Sequence, residues 1–581
     1  MSNIVNIEQF FVSKEFVIPA YQRDYSWKIE NIEDMLNDIS EAVETQSGHY
    51  LGTVVLANLP ENNKFEVVDG QQRISTLTLI LAAFLEQLDI DDISRITNSH
   101  NLIMNESKKL KLDFGLNFKF VSEMFANKNP LPKTYGQRRL QENYIYALER
   151  ATALKTKSGV DELKKWINTI KTLEVISFIA PTTGNAIRMF QTVNYRGLPL
   201  STMDKVKALL VYYSNRYLDG ALDDYVNQSF GMCFSEFDAV RIQAAIQESK
   251  IENISRATFS EDDLLRYHYL AYSYESALAI EDYEGSLKTV FDAFIKGTLI
   301  SLRDNKESLK NFIENYVSDL AKFCEAFKGL IMGVEHNSRL YKMFVILGLS
   351  ARLYPLVIRL FQRDALFQVI QNRSYDLLHL IEICDIRVYK TRNTNPLKDL
   401  GLISHSSQLE SIDKIAVQLD ESIKNFMNDG LFSSDLSENM YQNDALSHIF
   451  INYEESLNKK KSISIEELKS LFADNITREH ILSQEPVDGF ATYGFDSEEE
   501  YQKHLHTFGN LTLLTRVENS RCNNHPLNSK MTNGNLYPAS VYACTRELAQ
   551  TYRVSNNSFN KSDIKTRTEK LIKFTIDKWS I

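Results

Sequence analysis

From residue 216 to about 460 the chain is a succession of long, aromatic-rich amphipathic patterns with few Gly or Pro. Apolar residues recurring every three to four positions commit such a stretch to helix. Strands are therefore expected only at the two ends, and 581 residues are too many for one ordinary core. The expected class is multidomain α+β, divided at 1–215, 216–459 and 460–581, with Asn458–Ser462 as the linker before the last part. No fixed-period repeat is present. Stripes such as Tyr267-His268-Tyr269 read as core, and His268, His336, His379, His405 and His448 as structural histidines. The helical middle is expected to connect and to transmit.

The N-terminal end reads as mixed α/β. An extended aromatic segment, Val17 to Trp27, precedes a helix pattern through Ile32, Met35, Leu36 and Ile39. Two strands follow, Tyr50 to Ala57 and Lys64 to Val68. The second runs into Asp69-Gly70-Gln71-Gln72-Arg73 and a helix with apolar positions Ile74, Leu77, Ile80, Leu81, Phe84, Leu85 and Leu88. A strand, a glycine turn and a helix start attract phosphate, because the first-turn N–H groups and the dipole both favour an anion. Gly70 allows close backbone approach, and Arg73 offers a fork to phosphate oxygens. The competing reading makes Asp69 a helix cap and Arg73 a surface ion-pair residue. No G-x-x-x-x-G-K-[ST] loop occurs, so a nucleotide site here is not of the P-loop kind. Residues 91–175 read as a polar helical insertion with a loop at 127–133. A strand over Leu173–Ala180 leads to a turn at Asn194, Arg196 and Gly197, with Ser201 capping the next helix. Asn194, Arg196, Asp204 and Lys207 read as holding that turn.

At the C-terminal end, Ile476 to Lys530 carries most of the interpretable chemistry. The spacing predicts a strand over Ile476–His480, a partner over Leu511–Thr515 and a short helix from Val517. Phosphodiester hydrolysis needs a base for water and a cation that neutralises charge on phosphate and leaving group. His480 suits the first role. Mg²⁺ or another hard divalent ion takes one or two protein oxygens, which Glu479 and Asn519 offer. Adjacent strand residues point to opposite faces, so Glu479 and His480 share a site only where the strand bends. Asn510 is placed to brace the loop carrying His480, and Lys530 to contact a phosphate. Four of eleven histidines, His480, His504, His506 and His525, fall in this window, but a zinc site drawing on them lacks cysteine partners.

Charge is unevenly divided. The net charge is -11, yet residues 501–581 hold 12 Lys+Arg against 5 Asp+Glu, a net +7 that leaves -18 for residues 1–500. A basic end on an acidic body concentrates polyanion contact at the C-terminus. The five cysteines are scattered without a C-x-x-C pair, so reduced, buried thiols are expected. No apolar run of about 18 residues and no leader pattern are present, which makes a cytoplasmic location without membrane contact the expectation.

The motifs I-T-R-E-H-I-L-S-Q and H-T-F-G-N-L-T-L-L resemble the HNH, or His-Me finger, domain of GmrSD-type modification-dependent restriction proteins. I-P-A-Y-Q-R-D-Y-S-W, V-V-D-G-Q-Q-R-I-S-T-L and F-Q-T-V-N-Y-R-G-L-P-L-S resemble the partner domain of that family. The resemblance implies a ParB-like N-terminal α/β domain with a helical insertion, an all-helical middle and a C-terminal ββα-metal nuclease domain. It implies nucleoside triphosphate at Asp69, Gly70, Gln71, Gln72 and Arg73. It also implies His480 as base, Glu479 and Asn519 as metal positions and Asn510 as supporting asparagine. Ser483 departs from the family's proline and Ser75 from its threonine. Tyr21, Gln22, Arg23, Tyr25 and Trp27 are then candidates to line the nucleotide pocket or to sense a DNA modification, against a core-packing alternative. The implied function is an NTP-regulated, metal-dependent endonuclease or nickase acting on modified phage DNA in antiviral defence, and a homo-oligomer is compatible with it. The alternatives are a nucleotide-switched DNA-binding regulator with an inactive nuclease domain, and a nuclease acting on RNA.

Overall fold

The computed structural model describes the chain apart from residues 1, 13, 20–21, 23, 46–49, 62, 89–99, 106–108, 182–200, 273–285, 395–402, 405–406, 409, 459–462, 474–475, 487–488, 524 and 556. Tyr21, Arg23, Asn194, Arg196, Gly197, His405 and most of the expected linker lie outside the described residues. The fold is mixed α+β and rich in helix. It divides into two compact units, Met1–Ser235 with Ile295–Ala321, and Glu236–Phe294 with Lys322–Ile581.

The first unit is built on a mixed sheet of β1 (Ser2–Asn6), β2 (Glu15–Val17), β3 (Tyr50–Asn58), β4 (Lys64–Asp69), β5 (Leu112–Asp113) and β6 (Glu174–Ala180), in the order β1-β6-β3-β4-β2-β5. β3 runs antiparallel to β4 and parallel to β6. Both faces of β3 are covered, which explains its continuous apolar run. Val54 and Leu56 enter the main core, while Val55 and Ala57 join Val68 and Ala180 in a smaller cluster.

Its helices include α1 (Ile7–Phe11), α2 (Ile29–Thr45), α3 (Gln71–Glu86), α4 (Tyr135–Ser158), α5 (Val160–Thr172) and α6 (Thr202–Tyr217). α3 is buried on all sides from Ile74 to Leu85, as a helix apolar all round must be. Phe84 stacks on Trp166 of α5 with ring centroids 5.7 Å apart. The polar segment read as an insertion contributes Leu140, Tyr144, Leu163 and Ile167 to that same core. Ser201 caps α6 as its spacing predicts, accepting from Asp204 N at 3.0 Å.

The second unit is helical up to α7 (Leu446–Leu457). After it come β7 (Ile476–His480), β8 (Leu511–Thr515), α8 (Arg516–Cys522), α9 (Leu527–Thr532), α10 (Ala543–Val554) and α11 (Lys561–Lys578). Two wide π-helical turns, Lys342–Ile346 and Asp385–Thr391, carry buried cations. Lys342 Nζ meets Glu455 of α7 at 2.8 Å, and Arg387 reaches Asp429 at 2.7 Å and the Trp579 carbonyl at 3.0 Å. The Glu382 carboxylate lies 2.9 Å from His379 Nδ1 and 2.7 Å from His448 Nε2, and accepts from the Trp579 indole at 3.1 Å. Those two histidines are therefore structural, and His268 is fully buried beside Phe323. α10 has no capping side chain at its start; Glu454 of α7 caps it from outside, accepting from Ala543 N at 2.7 Å and Cys544 N at 2.6 Å. All five cysteines are buried and none is in a disulfide. No described helix is long and apolar enough to cross a membrane.

Candidate functional site

β7 and β8 pair antiparallel with His480 opposite Leu511 and Ile476 opposite Thr515. β8 is buried at every position, held from one side by a bond between the Thr512 and Thr545 hydroxyls at 2.7 Å. Thr515 ends the strand and starts α8 through a capping box, its hydroxyl accepting from Glu518 N at 3.1 Å while Glu518 accepts from Thr515 N at 2.9 Å. The result is a hairpin followed at once by the short helix that carries Asn519.

Asn510 sits fully buried at the mouth of the hairpin. Its Oδ1 accepts from Leu482 N at 2.8 Å, and its Nδ2 donates to the carbonyls of Leu482 at 3.2 Å and Leu505 at 2.8 Å. This clamps the two residues that follow His480. The neighbouring Gly509 touches α11 so closely that a Cβ there would stand 2.0 Å from the Ile564 carbonyl. Arg567 of the same helix donates to the carbonyls of Gly509 at 2.9 Å and Leu511 at 2.7 Å.

The strand alternation separates Glu479 from His480. Glu479 Oε1 accepts from Lys530 Nζ at 2.6 Å and from the Tyr537 hydroxyl at 3.2 Å. Lys530 also donates to the His480 carbonyl at 3.3 Å and its side chain is 3% exposed, so the cation assigned to phosphate lies inside the protein. Glu479 Oε2 has no partner among the described residues. His480 lies on the other side, stacked on Tyr441 at 4.3 Å, with Nε2 3.0 Å from His506 Nδ1. Burial, and then the His506 and Lys530 charges, push His480 down to about 4, so it is neutral at physiological pH. Of the other histidines in the window, His504 Nδ1 contacts its own helix at the Glu500 carbonyl, 2.9 Å away.

Tyr441 and Asn519 face one shallow depression of about 550 Å³ with Gln442, Ile476, Thr477 and Arg478. Asn519 lines this depression, whereas His480 does not and reaches it only through its ring contact with Tyr441. Cys522, one turn along α8 from Asn519, is pushed up to about 11 by burial and then by the Glu479 charge. No group of three His, Cys, Asp or Glu suited to a metal occurs among the described residues. Arg478 and Tyr441 carry no role in the sequence reading of this site, and His506 enters it only as a zinc ligand lacking cysteine partners. Arg478 was legible from alternation with His480, and His506 from its place before the Gly509-Asn510 turn. Tyr441, supplied from before residue 460, left no local signal.

In the first unit, Gly70 starts α3 in the left-handed region with φ 92°, as only a residue without Cβ adopts easily, and no side chain caps the helix. Asp69 Oδ1 accepts from Gly70 N at 2.7 Å rather than from the first turn of α3. Burial pushes the Asp69 carboxyl up, against the opposing pull of Arg73 and the Gly70 N–H. Arg73 donates to the Thr53 carbonyl at 2.6 Å. Gln72 accepts from Ser26 N at 3.0 Å and Trp27 N at 3.3 Å, so it holds the aromatic segment. Gln71 is buried. Gln22 donates to the Val68 carbonyl and accepts from Lys207 Nζ at 3.1 Å, which ties α6 to the turn. Tyr25 is core, its hydroxyl 2.6 Å from that of Thr76. The structure thus brings Gln22, Asp69, Gly70, Gln72 and Arg73 to one end of the sheet.

Residues 7–211 match the GmrSD restriction endonuclease N-terminal domain, and residues 427–574 match the GmrSD restriction endonuclease C-terminal domain. The chain belongs to the GmrSD restriction endonuclease family. No curated protein matched it. GmrSD membership makes it a restriction endonuclease of the type IV kind with DNA as its partner. The C-terminal GmrSD match starts at 427 and so takes in Tyr441 and Glu454 as well as the hairpin.

Proposed function

We propose that the protein is an NTP-regulated, metal-dependent endonuclease or nickase that cuts modified phage DNA. The hairpin and α8 act as a ββα-metal nuclease site, and a ParB-like first unit handles the nucleotide at Asp69–Arg73. The observation that carries the reading is neutral His480 stacked on Tyr441, which itself lines a polar depression with Asn519 and Arg478.

For His480 to act as base, it donates Nε2–H to His506 Nδ1 and keeps the Nδ1 lone pair for the proton of the attacking water. His506 then carries its own proton on Nε2 and steadies the imidazolium that forms. Asn510 keeps the strand end at a fixed height, and Tyr441 covers the ring. Lys530 holds the Glu479 carboxylate and the His480 carbonyl in one arrangement. Glu479 Oε2 and Asn519 Oδ1 are the oxygens that would hold a hard divalent cation, whose chemistry when bound is neutralisation of charge on the phosphate and leaving oxygen. In the first unit, the uncapped start of α3 offers N–H donors to a phosphate, with Arg73 one turn in.

The test is cleavage of matched modified and unmodified phage genomes by the wild type and by His480→Ala, with Mg²⁺ or Mn²⁺ and each NTP. Cutting of modified DNA that His480→Ala abolishes supports the reading, and equal activity of the two removes the site. The ion pair that occupies Glu479 favours a second reading, a nucleotide-switched DNA-binding protein with an inactive nuclease domain. It predicts salt-sensitive DNA binding with no cleavage under any of these conditions. Arg73→Ala is expected to abolish NTP-dependent control, and unchanged nucleotide binding and turnover would sink the first-unit assignment.

A further inference from the structure

The nuclease reading leaves the phosphate without a cationic side chain, because Lys530 is interior and paired with Glu479. Alternation along β7 puts Ile476, Arg478 and His480 on one face. Arg478 is half-buried and lines the depression together with Asn519. Its Nη1 donates to the Tyr441 carbonyl, and its other N–H groups have no partner among the described residues. Exposed Asp444 acts on it through space, with no ion pair or hydrogen bond between them. The guanidinium is thus anchored at one nitrogen by the same Tyr441 whose ring covers His480.

We propose that Arg478 is the phosphate-binding residue of the nuclease site, gripping a DNA phosphodiester in the depression beside His480. A planar fork with one nitrogen fixed loses little freedom on taking a phosphate, and it matches phosphate oxygens better than a lysine does. The two positions on β7 are a single strand repeat apart, roughly 7 Å, which suits one residue holding a phosphate while the other activates water against it. The proposal rests on the nuclease reading above, and it makes Lys530 a positioning residue.

Binding of a plain DNA duplex is measured against salt in the full-length His480→Ala protein, with and without Arg478→Gln. Loss of one phosphate contact lowers the slope of log K against log salt by about 0.9. In the active background, Arg478→Gln is expected to lower kcat/KM for cleavage about 10- to 100-fold at an unchanged thermal midpoint. Arg478→Lys keeps the charge, so it retains the wild-type slope while kcat/KM falls about 10-fold. An unchanged slope, or wild-type cleavage by Arg478→Lys, overturns the proposal. Should Arg478→Gln fail to fold, Arg478→Lys alone decides by its kcat/KM. If the wild type and His480→Ala cut equally, the nuclease site itself fails, and the salt slope still reads Arg478 independently.

Discussion

Replacing Lys530 by Met separates a structural lysine from a substrate-binding one. Its ammonium lies 2.6 Å from Glu479 Oε1, with side chains 3% and 11% exposed, and it also reaches the His480 carbonyl at 3.3 Å. The variant leaves a buried carboxylate with a single remaining donor, Tyr537, at 3.2 Å. Removing one partner of a buried ion pair costs about 3–5 kcal/mol, and the Tyr537 bond places this case near about 3. For a unit of this size each kcal/mol lowers the midpoint by about 2–4 °C, so Lys530→Met is expected to melt about 6–12 °C early. Removing the stranded charge as well, in Glu479→Gln/Lys530→Met, should recover about 2 kcal/mol of the loss, read as a coupling energy from a double-mutant cycle. Calorimetry and urea unfolding of the full chain report both quantities. A Lys530→Met protein that melts with the wild type yet loses cleavage would refute the reasoning and return Lys530 to the phosphate.

Three further outcomes follow from the same geometry. Because the folded His480 is pushed down to about 4, its stability contribution is complete above about pH 6.5 and is lost as pH falls toward 4; the wild type should lose more unfolding free energy between pH 7 and pH 4 than His480→Gln, and parallel curves would contradict the assignment. Gly509→Ala puts a methyl against the Ile564 carbonyl and the Thr568 hydroxyl, at 2.0 and 2.4 Å, so α11 must move; a loss of about 1–3 kcal/mol in urea unfolding is expected, and a neutral result would rule out the close packing. Glu454→Leu strips the start of α10 of its external cap and should cost about 1–3 kcal/mol, read as faster amide exchange at Ala543 and Cys544 that a structurally idle Glu454 would not produce.

Local pattern carried much of this molecule. β7, β8 and the helix after them stand where alternation and spacing put them, and so do β3, β4 and α3, because each is decided by which face is buried. The opposite-face problem at Glu479 and His480 was equally legible and is what the structure shows. What lay beyond reach was set by distant partners. Lys530 looked like a surface cation until α9 folded it onto Glu479, and Gln72 looked like part of a phosphate turn until it closed on Ser26 and Trp27. Tyr441 comes from a segment with no nuclease pattern at all.

The external cap supplied by Glu454 bears on where an independently folding nuclease piece begins. A fragment cut at residue 460 would expose the first amides of α10, drop the ring that covers His480 and strip Trp579 of the Glu382 carboxylate that holds its indole. Proteolysis or gene fusion at that boundary should therefore yield an aggregation-prone remnant instead of a portable cutter. Such a piece needs to begin by about residue 427, and earlier still because Glu382 holds Trp579, so the cutting end cannot be released from the helices before it.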